Sequence, residues 1–165
     1  SEVSYNELAN VLRIDRGTVE QYIGLLEQAF VVFRLNPFSR NIRNEISSSR
    51  KIYFYDNGIR NALIGNFNAL SMRNDVGALW ENFLISERIK TNNYSGSNAR
   101  SYFWRTHAQQ EIDYLEEYGG QMYAYEFKWN PRKAKGRFPS SFVETYQPQE
   151  KKIISTDNFE EFLDY

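Results

Sequence analysis

The stretch "QQEIDYLEEYGGQMYAYEFKWNP", residues 109–131, sets two runs rich in Ile, Tyr, Phe and Trp on either side of Gly119-Gly120. Those residue types favour strands, and a Gly-Gly pair between such runs is a two-residue hairpin signal. In that hairpin Tyr118 pairs with Gln121, and counting outward places Asp113 opposite Glu126 and Glu111 opposite Lys128. Side chains alternate along a strand, so Glu126 and Lys128 share the face of Asp113, and Tyr123, Tyr125, Phe127 and Trp129 take the other.

Two carboxylates directly opposite on a ladder repel, at a cost of up to about 1 kcal/mol when exposed. A divalent cation between them would offset the repulsion, and hard oxygen ligands suit Mg²⁺ or Mn²⁺. The other reading of the same spacing is a solvated charged face with a Lys128–Glu111 ion pair. A slip of one residue in register would dissolve either arrangement.

Outward from the hairpin, residues 75–90 read as a helix with Val76, Leu79, Trp80, Phe83 and Leu84 on one face and Glu81 at its border. "TNNYSGSN", residues 91–98, reads as a loop, and "ARSYFWRTH" as a strand that brings Arg105 to the hairpin mouth, to hold a phosphate or to pair with a carboxylate. His107 has no second His to share a metal and sits in a turn-like "THAQQ". "NPRKAKGR" carries Arg132, Lys133, Lys135 and Arg137 without an acidic residue: a solvated loop, or a clamp on a nucleic-acid backbone. The remainder reads as a helix, a buried strand at "KKIIS" and a last helix capped by Thr156 or Asp157.

The first part is punctuated differently. Ser4 and Glu7 form a capping box, followed by Leu8, Val11 and Leu12 at helical spacing. A second helix begins near Asp15 with Val19, Tyr22, Ile23, Leu26 and Phe30 as its apolar stripe. Two short helices and the strand-like "FVVFRLNPF" suggest a winged helix-turn-helix. Residues 1–30 nevertheless set only Arg13 and Arg16 against Glu2, Glu7, Asp15, Glu20 and Glu27, which favours packing or protein contact over phosphate contact. The next segment is basic, with Arg34, Arg40, Arg43, Arg50, Lys51 and Arg60 against Glu45 and Asp56, so any nucleic-acid contact of this half belongs to the wing. "KIYFYDNGIRNALIG" reads as a buried strand entering a helix capped by Asp56. The polar connection from Asn66 to Asn74 is the expected boundary between units at 1–66 and 75–165.

The 165 residues are 41% hydrophobic and 16% aromatic, with a net charge of −1, enough for one domain or two small ones with a real core. The absence of Cys excludes disulfides and thiolate metal sites. No apolar run approaches the roughly 20 residues of a membrane span, "SEVSYNEL" is unlike a signal peptide, and a cytoplasmic location is expected. The start without Met, directly on helix chemistry, reads as a piece of a longer protein. No G-x-x-x-x-G-K-[ST] phosphate loop occurs, so ATP hydrolysis by that chemistry is excluded for these residues.

Asp113, then Glu126-Phe127-Lys128, preceded by a helix with Glu81, resembles the D…(D/E)-x-K signature of the PD-(D/E)xK nuclease superfamily. "KIYFYDNGIRNALIG", "RNDVGALWENFLISERIK", "YFWRTHAQQEIDYLEE" and "YAYEFKWN" follow in order the pattern of a domain of unknown function found C-terminal in prokaryotic AAA-type P-loop ATPases. The resemblance implies an α/β (α+β) chain, with a winged-helix-like start and a restriction-endonuclease-like αβββαβ core. It further implies a phosphodiesterase site in which Asp113 and Glu126 hold Mg²⁺ or Mn²⁺, Glu81 supports the metal and Lys128 orients or deprotonates water. DNA and the chain's own N-terminal ATPase part, which alone would take ATP, are then the expected partners, with a homodimer possible. No Q-x-x-x-Y follows Lys128, unlike RecB-like members. The alternatives are a catalytically silent DNA-binding module and a protein-interaction or dimerisation unit.

Overall fold

The computed structural model describes residues 2–40, 45, 49–133 and 136–163, with the side chains of residues 2, 3 and 133 left out. It is a mixed α/β structure. Among the described residues the strands are β1 (Glu2–Val3), β2 (Val32–Pro37), β3 (Arg50–Phe54), β4 (Arg100–Arg105), β5 (Glu111–Tyr118), β6 (Gln121–Phe127) and β7 (Glu150–Ile154). The helices are α1 (Tyr5–Leu12), α2 (Arg16–Gln28), α3 (Asn57–Ile64), α4 (Val76–Tyr94), α5 (Ser140–Tyr146) and α6 (Phe159–Leu163). The strands form one sheet in the order β1-β3-β2-β4-β5-β6-β7.

The hairpin register is the expected one from Tyr118↔Gln121 to Tyr114↔Tyr125. Gly119 and Gly120 both take positive φ, the turn conformation that glycine adopts without a Cβ penalty. Simple alternation fails just beyond Tyr114. The pairing of β5 with β4 shifts register between Tyr102 and Trp104. Ile112 and Leu115, three residues apart, therefore share one apolar cluster, and Tyr114 joins the other. Such a bulge re-aims the residues it contains, and Asp113 is one of them.

Tyr125 and Phe127 face α4 and α6 in a cluster with Trp80, Leu84, Ile85, Phe103, Tyr114 and Phe162. Trp129 meets Trp80 edge-on at 5.4 Å. On the opposite face Met122, Ala124, Ile112, Leu115 and Trp104 pack on Phe142 of α5. The sheet's outer layer of helices thus follows from the alternation of β6. Helix α4 runs four residues past Lys90 into the segment read as a loop, and buries Asn92. It also buries Arg88, whose guanidinium meets Glu116 at 2.6–3.2 Å. Glu116 accepts further bonds from Asn92 and from the Tyr114 hydroxyl. A network this deep is tolerated because each charge is paired and hydrogen-bonded.

In the first part Ser4 and Asp15 cap α1 and α2 as expected. The expected apolar stripe of α2 is only partly used: Val19 and Ile23 pack with Ala9, Leu8 and Ile52, but Tyr22 is 60% and Phe30 72% exposed. Leu26, Val11 and Leu12 are exposed as well. Two short helices over a narrow three-strand end present too little surface to cover a full stripe. Asp56 caps α3. Thr156 and Asp157 do not cap α6; Asn158 and Ser155 organise that turn, Asn158 accepting the Ser155 N–H at 2.8 Å and Ser155 Oγ the Asp157 N–H.

The two ends of the sheet join where β2 runs parallel to β4, through Asn36↔Tyr102 and Pro37↔Phe103. The connection 66–74 lies between α3 and α4 and contains a short 3₁₀ turn at Leu70–Met72. Among the described residues no helix is long and apolar enough to cross a membrane.

Candidate functional site

Strand β6 carries Glu126 on the face opposite Tyr125 and Phe127, and Lys128, just past its end, donates to Glu126 Oε2 at 3.2 Å. Asp113 does not form a ladder pair with Glu126. Its Oδ2 instead accepts the N–H of Phe127 at 2.8 Å, so the side chain occupies the place of a backbone acceptor at the end of the ladder. The bulge that re-aims Asp113 makes this possible.

The Lys128–Glu111 ion pair of the solvated-face reading is not formed. Glu111 turns instead to Lys51, which it contacts directly, and to Arg105, whose Nε lies 3.9 Å from Oε2. The reason lies in β3, whose Ile52 faces α1 and α2 while Lys51 and Tyr53 face α4. Lys51 is only 4% exposed. Its Nζ lies 3.4 Å from Glu81 Oε1 and sits over the Phe103 ring at 5.2 Å. Tyr53 donates its hydroxyl to the same Glu81 oxygen at 2.5 Å. Glu81 therefore reaches the sheet, as its place at the border of the α4 stripe suggested, but is engaged by β3.

These charges shift one another. Burial pushes the Asp113 carboxyl up to about 7, and repulsion from Glu126 and Glu81 adds to it, against the pull of Lys51 and the Phe127 N–H. Burial also raises Glu126, with Glu111 adding and Lys128 opposing. For Lys128, burial alone would favour the neutral amine, but Asp113, Glu126 and Glu81 outweigh it and hold the group above the ordinary lysine value. Its sign could not be read from the sequence; here it is a cation. Lys51 is raised in the same way, burial being outweighed by Glu81, Glu111 and Asp113.

Asp113 and Glu126 offer hard carboxylate oxygens of the type that Mg²⁺ takes, an ion that binds through one or two carboxylates and otherwise keeps its waters or takes phosphate oxygens. Burial raises both carboxyls, and the repulsion from Glu126 and Glu81 that adds to it at Asp113 is what a cation there would relieve. Among the described residues, no group of three or more His, Asp or Glu is arranged to hold a metal. The set is a pair, with Glu81 engaged elsewhere.

Around this group, Arg132 and Arg137 are exposed, Lys133 closes a 3₁₀ turn that begins at Pro131, and Lys135 lies outside the described residues, as does Arg43. Arg105 takes the carboxylate partner of its two readings, Glu111. His107 is exposed in a turn at the rim of a cavity of about 710 Å³ that also borders Trp104, Gln110 and Tyr146. There Glu45 accepts from Trp104 Nε1 at 2.7 Å and from Tyr146, tying the segment after β2 to the core. Lys51, Tyr53 and Glu111 are the site residues that sequence reasoning missed. The available signal was a lysine one position from Ile52 and two from Tyr53 in a strand read as buried, since a buried lysine demands a carboxylate.

Residues 76–163 match the model of a domain of unknown function, DUF4143, and residues 1–70 that of another, DUF8612. DUF4143 is known from AAA-ATPase-associated proteins. Uncharacterized proteins of Mycobacterium bovis and Mycobacterium tuberculosis are each 32% identical to the chain over 124 residues, covering 74% of it and 27% of their own length. The chain thus spans about a quarter of the curated relatives it matches. No solved structure matches it.

Proposed function

This chain belongs to the DUF4143 family, and from that premise we propose that it is the DNA-interacting, nuclease-like region of a prokaryotic AAA-type ATPase, with a divalent-metal phosphodiesterase site. The observation that carries the reading is the meeting of Asp113, Glu126 and Lys128 in one group of charges that act on one another, with Lys128 bonded to Glu126. The order α4-β4-β5-β6-α5-β7 supports a restriction-endonuclease-like core of the PD-(D/E)xK kind. Helices α1 and α2 beside β1-β3-β2 support a winged-helix-like start.

In this reading Asp113 and Glu126 hold Mg²⁺ or Mn²⁺ through hard oxygen donors. The ion, when bound, supplies a Lewis acid and a water of lowered pKa. Lys128, kept protonated by its neighbours, donates hydrogen bonds to the attacking water or to a phosphate oxygen; as a cation it is not the base. Arg105, Arg132, Lys133, Lys135 and Arg137 attract the nucleic-acid backbone, whose affinity for basic side chains comes largely from released counterions.

The exposed Val11, Tyr22, Leu26 and Phe30 favour a second role for the N-terminal helices, protein contact rather than DNA contact. An apolar surface with only Arg13 and Arg16 beside it offers a phosphate little.

The test is thermal denaturation at millimolar Mn²⁺. An ion bound only by the folded chain raises the melting temperature by mass action. The wild type is expected to shift, Asp113→Ala and Glu126→Ala to lose the shift, and Lys128→Ala to keep it. A wild type that does not shift, with or without DNA, would leave a binding module as the better account.

A further inference from the structure

Lys51 stands outside the Asp…Glu-x-Lys set and comes from the other half of the chain, within the DUF8612 match. It is nonetheless among the most deeply buried charges of the described residues, and both its carboxylate contacts, Glu81 and Glu111, belong to the half that carries the site. A cation enclosed by carboxylates beside a candidate divalent site does two things. It lowers the negative potential that would attract a second positive charge. It also occupies Glu81, a carboxylate that acts on Asp113 and could otherwise complete a third oxygen ligand.

We propose that Lys51, delivered by β3, is a resident counter-cation that holds Glu81 out of the coordination sphere and so weakens this site's grip on a divalent ion. The inference rests on the metal reading above and concerns how tightly, not whether, the ion is held.

The geometry is specific on both sides. The Glu81 oxygen that faces Lys51 is the same one that accepts the Tyr53 hydroxyl, so two β3 side chains at alternate positions fix one carboxylate. Glu111, the second carboxylate on Lys51, is screened further by Arg105 at 3.9 Å. Asp113 and Glu126 feel the Lys51 charge but are not in its ion pairs, which go to Glu81 and Glu111. A weakly held ion suits a site that completes its ligand shell with a substrate phosphate, because the phosphate then contributes part of the affinity.

Calorimetric titration of Mn²⁺ into the folded chain tests this without any activity. Lys51→Met is expected to bind Mn²⁺ about tenfold more tightly than wild type, the usual size of an effect from a residue that orients a ligand. Adding Glu81→Gln to Lys51→Met is expected to remove that gain, whereas Glu81→Gln alone should leave the wild-type affinity within about twofold of its starting value. Equal affinities for wild type and Lys51→Met would overturn the proposal. So would a tenfold loss in Glu81→Gln alone, which remains informative should Lys51→Met fail to fold. A wild type that binds no Mn²⁺ refutes the metal reading and this inference together; binding that depends on Asp113 but not on Lys51 refutes this inference alone.

Discussion

Asp113 is a carboxyl whose charge depends on its neighbours, and its pKa of about 7 makes a direct statement about stability. Between about pH 4 and pH 7 the folded chain keeps a proton that the unfolded chain has lost, so stability falls as pH rises through that window. Without metal, the wild type is expected to melt at lower temperature at pH 8 than at pH 5. Asp113→Asn keeps an oxygen for the Phe127 N–H but not the charge, so it should remove this residue's share of the slope. It should also be more stable than the wild type at pH 8, where the wild-type carboxyl carries its charge in the buried site. Chemical denaturation at both pH values checks the sign. Elsewhere in the sheet, Glu116 is paired rather than repelled, with Arg88, Asn92 and Tyr114 around it. Glu116→Ala strands a buried guanidinium and is expected to cost about 3–5 kcal/mol. At this scale charge types and spacing are local, so the sequence singled out Asp113, Glu126, Lys128 and Glu81, whose charges act on one another in the fold. The buried-strand lysine hinted that Lys51 needs a carboxylate but not which one, because it enters through a strand 30 positions from Glu81 and only the sheet order brings them together.

Among the elements, the β5–β6 hairpin was legible because Gly119-Gly120 fixes register and aromatic residues fill both strands. Its limit came at the bulge, where pairing with β4 rather than with β6 decides where Asp113 points. No property of residues 109–131 encodes that shift. Helix α2 shows the opposite failure: periodicity marked an apolar stripe, but periodicity does not say whether a partner exists to cover it. The consequence is measurable within one helix. Ile23→Ala, in the small cluster with Ala9 and Val19, is expected to cost about 2–4 kcal/mol. Leu26→Ser, exposed one turn from it in the same stripe, should stay within about 0.5 kcal/mol. Melting curves of the two variants side by side distinguish a packed stripe from an unpartnered one.

At the scale of the whole molecule the described strands form a single sheet. The β2–β4 pairing carries Lys51 and Tyr53 to the site, so the N-terminal half cannot be removed without cutting a strand from beside β4. Surface chemistry divides along the same line, with apolar side chains on α1 and α2 and basic ones after β6. Replacing Arg132, Lys133, Lys135 and Arg137 together by Ala is expected to weaken DNA binding and to reduce its salt slope by about 3, whereas Arg16→Ala should leave the slope unchanged. Cleavage of a labelled DNA duplex by the folded chain in Mn²⁺ tests the central claim most directly. The wild type is expected to cut, and Asp113→Asn to lose both cutting and the Mn²⁺-dependent rise in melting temperature. Lys128→Ala should lose cutting by at least about 100-fold, as for a removed electrostatic contact to the reacting group, while still binding the ion. Cutting that survives in Asp113→Asn, or a wild type that neither cuts nor binds Mn²⁺, would contradict the account.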